Sequence, residues 1–212
     1  MRKISSFEGI DVSSAISVTV SDGNYNGEIS VEAPDNIMNR ITTEVKNGVL
    51  VMKINGTVNL KNSSIKIKFP HQKLRSFNLS GATNVTVLPT QKVEKMAVDL
   101  SGASNLKLEV VSNSISVDNS GASSMKISGN VQDLNISVSG ASSFIGKDLK
   151  AANVIVDCSG ASSTTVWAVN SLTADSSGAS SVRYVDENGL KTKVSTSGMS
   201  SIKRINLSLI HI

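Results

Sequence analysis

The sequence predicts an all-β chain wound as a single-stranded parallel β-helix, a solenoid of about 19–20 residues per coil. A recurring triplet, the parity of the residues around it, and a composition rich in small and β-branched residues carry that prediction. Ser-Gly-Ala or Ser-Gly-Met occurs seven times, with glycines at Gly81, Gly102, Gly121, Gly140, Gly160, Gly178 and Gly198. The intervals are 21, 19, 19, 20, 18 and 20 residues, the regularity of a repeat architecture. Only 3% of the 212 residues are aromatic while 39% are apolar, which suits a stack of short strands better than a bulky globular core.

Counted from each glycine, the neighbours fall into columns. Position −4 holds Phe77, Val98, Val117, Ile136, Val156, Ala174 and Val194, all apolar. Positions −6 and −2 are mostly apolar or small, so −6, −4 and −2 share one face of a strand, the period-2 signature of half-buried β structure. After the glycine, +1 is Ala six times and Met once, and +4 is Val85, Leu106, Met125, Phe144, Thr164, Val182 and Ile202. A two-residue hairpin at each glycine would set −4 opposite +5, where Lys107, Lys126, Arg183 and Lys203 stand, placing charge beside core. The same conflict rules out the paired hairpins of a propeller, whose blades need about 40–45 residues.

Parallel coils stacked about 4.8 Å apart turn each column into a ladder instead. Positions −6, −4, −2, +4 and +6 then fill the interior, Ala at +1 fits the inside of a tight corner, and glycine supplies a backbone conformation other residues resist. Seven such coils span roughly 34 Å. Residues 74–212 are the regular coils. Residues 1–73 read as irregular first coils and a cap of the same domain, with strands in "AISVTV", "EISVEA", "ITTEV", "VLVMKI" and "SIKIKF". Asp22-Gly23 and Asn47-Gly48 are turn signals between them, and "PDNIMNRI" is a short helical turn. Pro34, Pro70 and Pro89 all precede the second triplet, so no later coil has its ladder interrupted.

The net charge of +4 comes from Lys and Arg scattered singly, without basic runs or interleaved aromatics, so nucleic acid is not an expected partner. Cys158 is the single cysteine, which excludes an internal disulfide framework and any multi-cysteine zinc cluster. No apolar run is long enough to span a membrane. Met1-Arg2-Lys3 leads into Ile4-Ser5-Ser6-Phe7 without an apolar leader region, which is expected of a cytoplasmic protein or of one whose leader has been removed.

Two outward columns are candidate sites. Position −1 is always Ser, and +2 and +3 are always Ser, Thr or Asn, giving hydroxyl ladders around the corner. These form a flat hydrogen-bonding surface for a glycan or for ice, or else they satisfy turn backbone groups from coil to coil, and the second reading is favoured. Ice binding favours ordered Thr arrays, whereas this corner carries mainly Ser. Position −3 holds Asn78, Asp99, Asp118, Ser137, Asp157, Asp175 and Ser195, with two pairs of carboxylates on adjacent coils. Such pairs repel and invite a cation such as Ca²⁺, but Ca²⁺ needs six to eight oxygens that the sequence does not assemble, so no cofactor is expected.

Catalysis finds less support. His71 and His211 are the only histidines, one beside Pro70 and one at the penultimate position, poor places for a triad base. Cys158 stands in the inward −2 column as a small buried hydrophobe. Glycosidase chemistry needs two opposed carboxylates at a set separation, and no pair is singled out. Trp167 and Tyr184 can stack on a sugar, although aromatics near a core face usually pack.

"SFEGIDV", "KNGVLVMKI" and the run "LSGATNV", "LSGASNL", "NSGASSM", "VSGASSF", "CSGASST", "SSGASSV" and "TSGMSSI" together resemble the head GIN domain of putative auto-transporter adhesins. The resemblance covers nearly the whole chain. It implies a right-handed β-helix similar to those of pectin-lyase-like proteins, a Gram-negative source, export to the cell surface or periplasm, a role in adhesion and no catalytic residues. The functional expectation is therefore a non-enzymatic surface module with a glycan or a host or matrix protein as partner. A polysaccharide lyase or hydrolase on the same scaffold, and a structural spacer, are the alternatives. Exposed coil ends leave oligomerisation open.

Overall fold

The computed structural model describes residues 1–58, 64–186 and 189–206. The amino-terminal part contains β1 (Arg2–Lys3), β2 (Gly9–Val12), β3 (Ile16–Asn24), β4 (Glu28–Glu32), a single-turn helix α1 (Asp35–Met38), β5 (Ile41–Lys46), β6 (Val49–Ile54) and β7 (Ile65–His71). The repeats follow as β8 (Ser76–Leu79), β9 (Asn84–Val87), β10 (Gln91–Leu100), β11 (Asn105–Asn119), β12 (Ser124–Val138), β13 (Ser143–Cys158), β14 (Ser163–Ser176), β15 (Ser181–Asp186), β16 (Lys191–Thr196) and β17 (Ser201–Arg204). From β8 onward every pairing is parallel, which is the solenoid that the column parity requires.

Each coil contributes to two ladders. One runs β6, β2, β8, β10, then the carboxy-terminal halves of β11 to β14, then β16. The other runs β7, β3, β9, the amino-terminal halves of β11 to β14, then β15 and β17. Their inward side chains form one apolar cluster from Phe7 and Ile10 to Ala174 and Val182. Two sheets thus lie back to back over a shared core, joined along one edge by the Ser-Gly-Ala corners.

The stacking order is not the chain order. The coil of β2 and β3 lies between that of β6 and β7 and that of β8 and β9. The chain winds its first coil, adds the next on one side of it, then crosses to continue the stack on the other. Within that first coil "DVSSAISVTV" is an eighth copy of the repeat, with Ser14 where the others have glycine: Asp11 registers with Asn78, Val12 with Leu79 and Val18 with Val85. Ser14 has φ 75, matching φ 77 at Gly81 beside it. The outer end is closed by antiparallel pairs, β4 on β7, β1 on β4 and β5 on β6. Asn47-Gly48, with φ 50 and 76, forms the expected two-residue hairpin turn between β5 and β6. Asp22-Gly23 does not separate strands; it forms a bulge inside β3 where the pairing to β7 shifts.

Two inward expectations fail at the corner and at the far end. Ala103, Ala122, Ala141, Ala161 and Ala179 at +1 are exposed, while Ser104, Ser123, Ser142, Ser162 and Ser180 at +2 are buried. Even offsets from the glycine face inward on both sides of the corner, so the alternation that buries −4, −2, +4 and +6 also buries +2 and leaves +1 outside. Val194 of the core column is 50% exposed and Met199 is 85% exposed, since β16 has no further coil outside it among the described residues.

Candidate functional site

The corner ladder bonds each coil to the next. At each turn the +1 amide donates to the glycine carbonyl of the preceding coil, as in Ala122 N to Gly102 O at 2.8 Å. The buried +2 serine closes the turn by donating to the −1 carbonyl: Ser104 to Ser101 at 2.6 Å, Ser123 to Ser120, Ser162 to Ser159 and Ser180 to Ser177 at 2.7 Å each, and Ser142 to Ser139. Serines that face inward and bond the backbone are withdrawn from any ligand, so this column presents no hydroxyl surface. Asn119, in the apolar −2 column, is held by the same system: its amide donates to Ser143 O at 2.9 Å and its carbonyl accepts from Ser123. Cys158 is fully buried, with Sγ 3.2 Å from Ser162 Oγ and 3.3 Å from Thr164 Oγ1. His71 packs its Nδ1 at 3.2 Å from Nε2 of the buried Gln91, whose carbonyl accepts from Leu74 N. His211 lies outside the described residues.

The aspartate column forms as its register dictates, Asp11, Asn78, Asp99, Asp118, Ser137, Asp157, Asp175 and Ser195 in adjacent coils. Asp99, Asp118, Asp157 and Asp175 are exposed, and none makes an ion pair or a side-chain hydrogen bond among the described residues. No group of three or more His, Cys, Asp or Glu side chains able to hold a metal occurs among the described residues. Asp11 differs from its column mates in being partly buried: desolvation holds its carboxyl above the ordinary value of 3.8, with Lys53 acting in the opposite sense. A carboxyl raised in the folded state costs stability above its unfolded pKa, and the cost is relieved as pH falls through the folded one. Asp11→Asn, the residue already at position 78 in the next coil, is therefore expected to raise Tm at pH 7 and to lose that advantage near pH 3 in melts at the two pH values. An equal shift at both would contradict it.

A groove of about 420 Å³ runs along the opposite edge, where β11 to β14 make their second bend. Asn113, Asn130, Gln132 and Asn170 line it with exposed amides, and Val111, Val131, Ala152 and Val169 supply apolar surface between them. None of the four amide side chains bonds another described residue, so their donors and acceptors face solvent. Lys150 also lines the groove and lies over Trp167, Nζ 5.4 Å from the ring centroid, while the indole Nε1 is buried and has no hydrogen-bond partner among the described residues. Tyr184 is half-buried against the core.

Three of the amides share one column: Asn113, Gln132 and Asn170 each stand eight residues before the next glycine, with Ala152 at that position in the coil between, and Asn130 stands ten before Gly140. The columns read from the sequence end at −6, short of this bend. The 20-residue interval between Gly140 and Gly160 is absorbed by register shifts, at Lys126/Ser128 between β12 and β13 and at Gly146/Lys150 between β13 and β14.

A comparison with proteins of curated function finds no match. Among solved structures, the fold resembles a putative adhesin from Bacteroides fragilis at TM-score 0.84 and 24% identity, covering 96% of this chain and 94% of that one. It also resembles a putative lipid binding protein and a putative adhesin, both from Parabacteroides distasonis. Their TM-scores are 0.61 and 0.69, their identities 21% and 17%, and each covers 96% of this chain and 94% of its own. No described helix is long and apolar enough to cross a membrane. The family model for the putative auto-transporter adhesin head GIN domain matches residues 6–187, and the chain belongs to that family.

Proposed function

We propose that the chain is a non-enzymatic exported module of the cell surface or periplasm that binds a glycan along the amide groove. The observation that carries this reading is the row of Asn113, Asn130, Gln132 and Asn170, four exposed amides with no side-chain bond to another described residue, beside apolar patches in one open groove. An amide offers two donors and a carbonyl acceptor in one plane, which suits paired sugar hydroxyls. The apolar strips between them suit the hydrophobic faces of sugar rings, and Lys150 favours a ligand carrying carboxylate or sulfate. The adhesin family supports binding as the role. An extended groove engaging several residues weakly fits an adhesive contact, in which affinity comes from many copies.

A glycan array followed by calorimetric titration tests this. The wild type is expected to bind an acidic oligosaccharide, and Asn130→Ala with Gln132→Ala to weaken binding about tenfold or more, from two lost hydrogen bonds of roughly 1 kcal/mol each. Binding that survives both substitutions would place the ligand elsewhere. Depolymerisation of a polysaccharide, abolished by Asp99→Ala or Asp157→Ala, would overturn the non-enzymatic reading.

A further inference from the structure

The two sheets carry opposite charge on their outer faces. The sheet before the corner carries a central band of Asp99, Asp118, Asp133, Asp157 and Asp175, with Lys92, Glu94, Lys95 and Lys150 toward its far bend and Lys191 and Lys193 in the last coil. The sheet after the corner presents Lys66, Lys68, Lys107, Lys126, Arg183 and Lys203 along its length, with Glu109 and Asp148 as exposed acids among them. Lys66 pairs with Glu32 at 3.6 Å. Asp99, Asp118, Asp157, Asp175, Lys107, Lys126, Arg183 and Lys203 enter no ion pair among the described residues.

We infer that copies of this chain associate face on face, the aspartate face of one copy against the lysine and arginine face of the next. The shared repeat makes the faces commensurate: both ladders advance by the same distance of about 4.8 Å per coil, so one matched pair brings the next into line. With no axial offset, Asp99 meets Lys107, Asp118 meets Lys126 and Asp175 meets Arg183. Each acid and its partner belong to the same coil number, so the pattern is built in by the repeat. Ile155, 55% exposed on the acidic face, and Ile145 on the basic face add apolar contact. About nine strands of about six residues give a face of roughly 40 by 20 Å, near the 800 Å² per partner of a stable interface. Because the two faces differ, the contact is heterologous and does not close, so it extends into rows rather than stopping at a dimer. A row aligns the amide grooves of successive copies along one side, which would multiply their binding.

Sedimentation velocity over a concentration series tests this. In about 20 mM salt the wild type is expected to show concentration-dependent species beyond the monomer, shifted back toward monomer in about 500 mM salt. Asp99→Lys with Asp118→Lys sets cations against Lys107 and Lys126 of the next copy, and Lys107→Asp with Lys126→Asp sets carboxylates against Asp99 and Asp118. Each double variant alone is expected to associate at least about tenfold more weakly, and an equimolar mixture of the two to restore association. Matching circular dichroism melts would show that both remain folded. A monomeric wild type at low salt, unaltered association in either variant, or a mixture no stronger than its components would each overturn the inference. None of these residues lines the amide groove, so glycan binding by a single copy is measured independently.

Discussion

Gly121→Ala is expected to lower the stability of the chain by about 3 kcal/mol, read as a Tm reduced by roughly 6–12 °C. Gly121 sits at φ 76, where a β-carbon costs about 1–2 kcal/mol by itself. A β-carbon there would also stand 2.6 Å from Gly102 O and 2.9 Å from Gly102 N, inside the backbone of the preceding coil. Neither atom can yield without opening the corner hydrogen bond from Ala122 N to Gly102 O. Ser14 provides the control. It has φ 75, but in the coil outside it ten residues separate the end of β6 at Ile54 from the start of β7 at Ile65, against four between β10 and β11. Ser14→Gly is therefore expected to be neutral or to stabilise by up to about 1 kcal/mol, the relief of its conformation offset by a freer unfolded chain. Equal melting temperatures for wild type and Gly121→Ala would remove the steric account of the repeat.

Phe144→Ala is expected to cost about 3–5 kcal/mol, the largest single loss in the core. Phe144 is fully buried in the +4 column, flanked by Met125 in one coil and Thr164 in the next. Its size is matched within its own coil: the +6 position, Val87, Leu108, Ile127 and Val166 elsewhere, is Gly146 here. A β-carbon on Gly146 would come 2.6 Å from Phe144 Cε1. The two positions therefore share one volume. Gly146→Ala alone is expected to cost about 1–3 kcal/mol through overpacking. Combined with Phe144→Leu, which vacates the space, it should cost less than the sum of the two single changes by about 1 kcal/mol or more. Denaturant melts of the four proteins give that coupling directly, and simple additivity would show that the ring and the glycine do not compete.

The sequence was most legible where strands run straight. Columns −4 and +4 fill the interior as parity demands, Cys158 lies inside, Asp99 and Asp157 point out, and the parallel pairing follows from the charges at +5. It was less legible at the corners and bends. Ala lies outside and Ser inside at the corner because the alternation of the strands continues through the glycine, against an expectation drawn from side-chain size and polarity. The amide row stands at −8, beyond the apolar columns, and nothing in an isolated Asn or Gln marks it as lining a groove. Ser14 was passed over because the eighth corner lacks the residue that marks the other seven.

By itself, the sequence determined the architecture of one coil and the charge of each column, because both depend on period-2 alternation and on a turn residue that only a few side chains can replace. The tertiary structure decided the order of the coils, since pairing in a parallel ladder is non-local and nothing near Gly9–Val12 marks the strands on either side of it. It also decided that the carboxylate and lysine columns lie on opposite faces and that four amides from three coils share one groove. Those relations arise only when strands distant in the chain pack back to back over a common core.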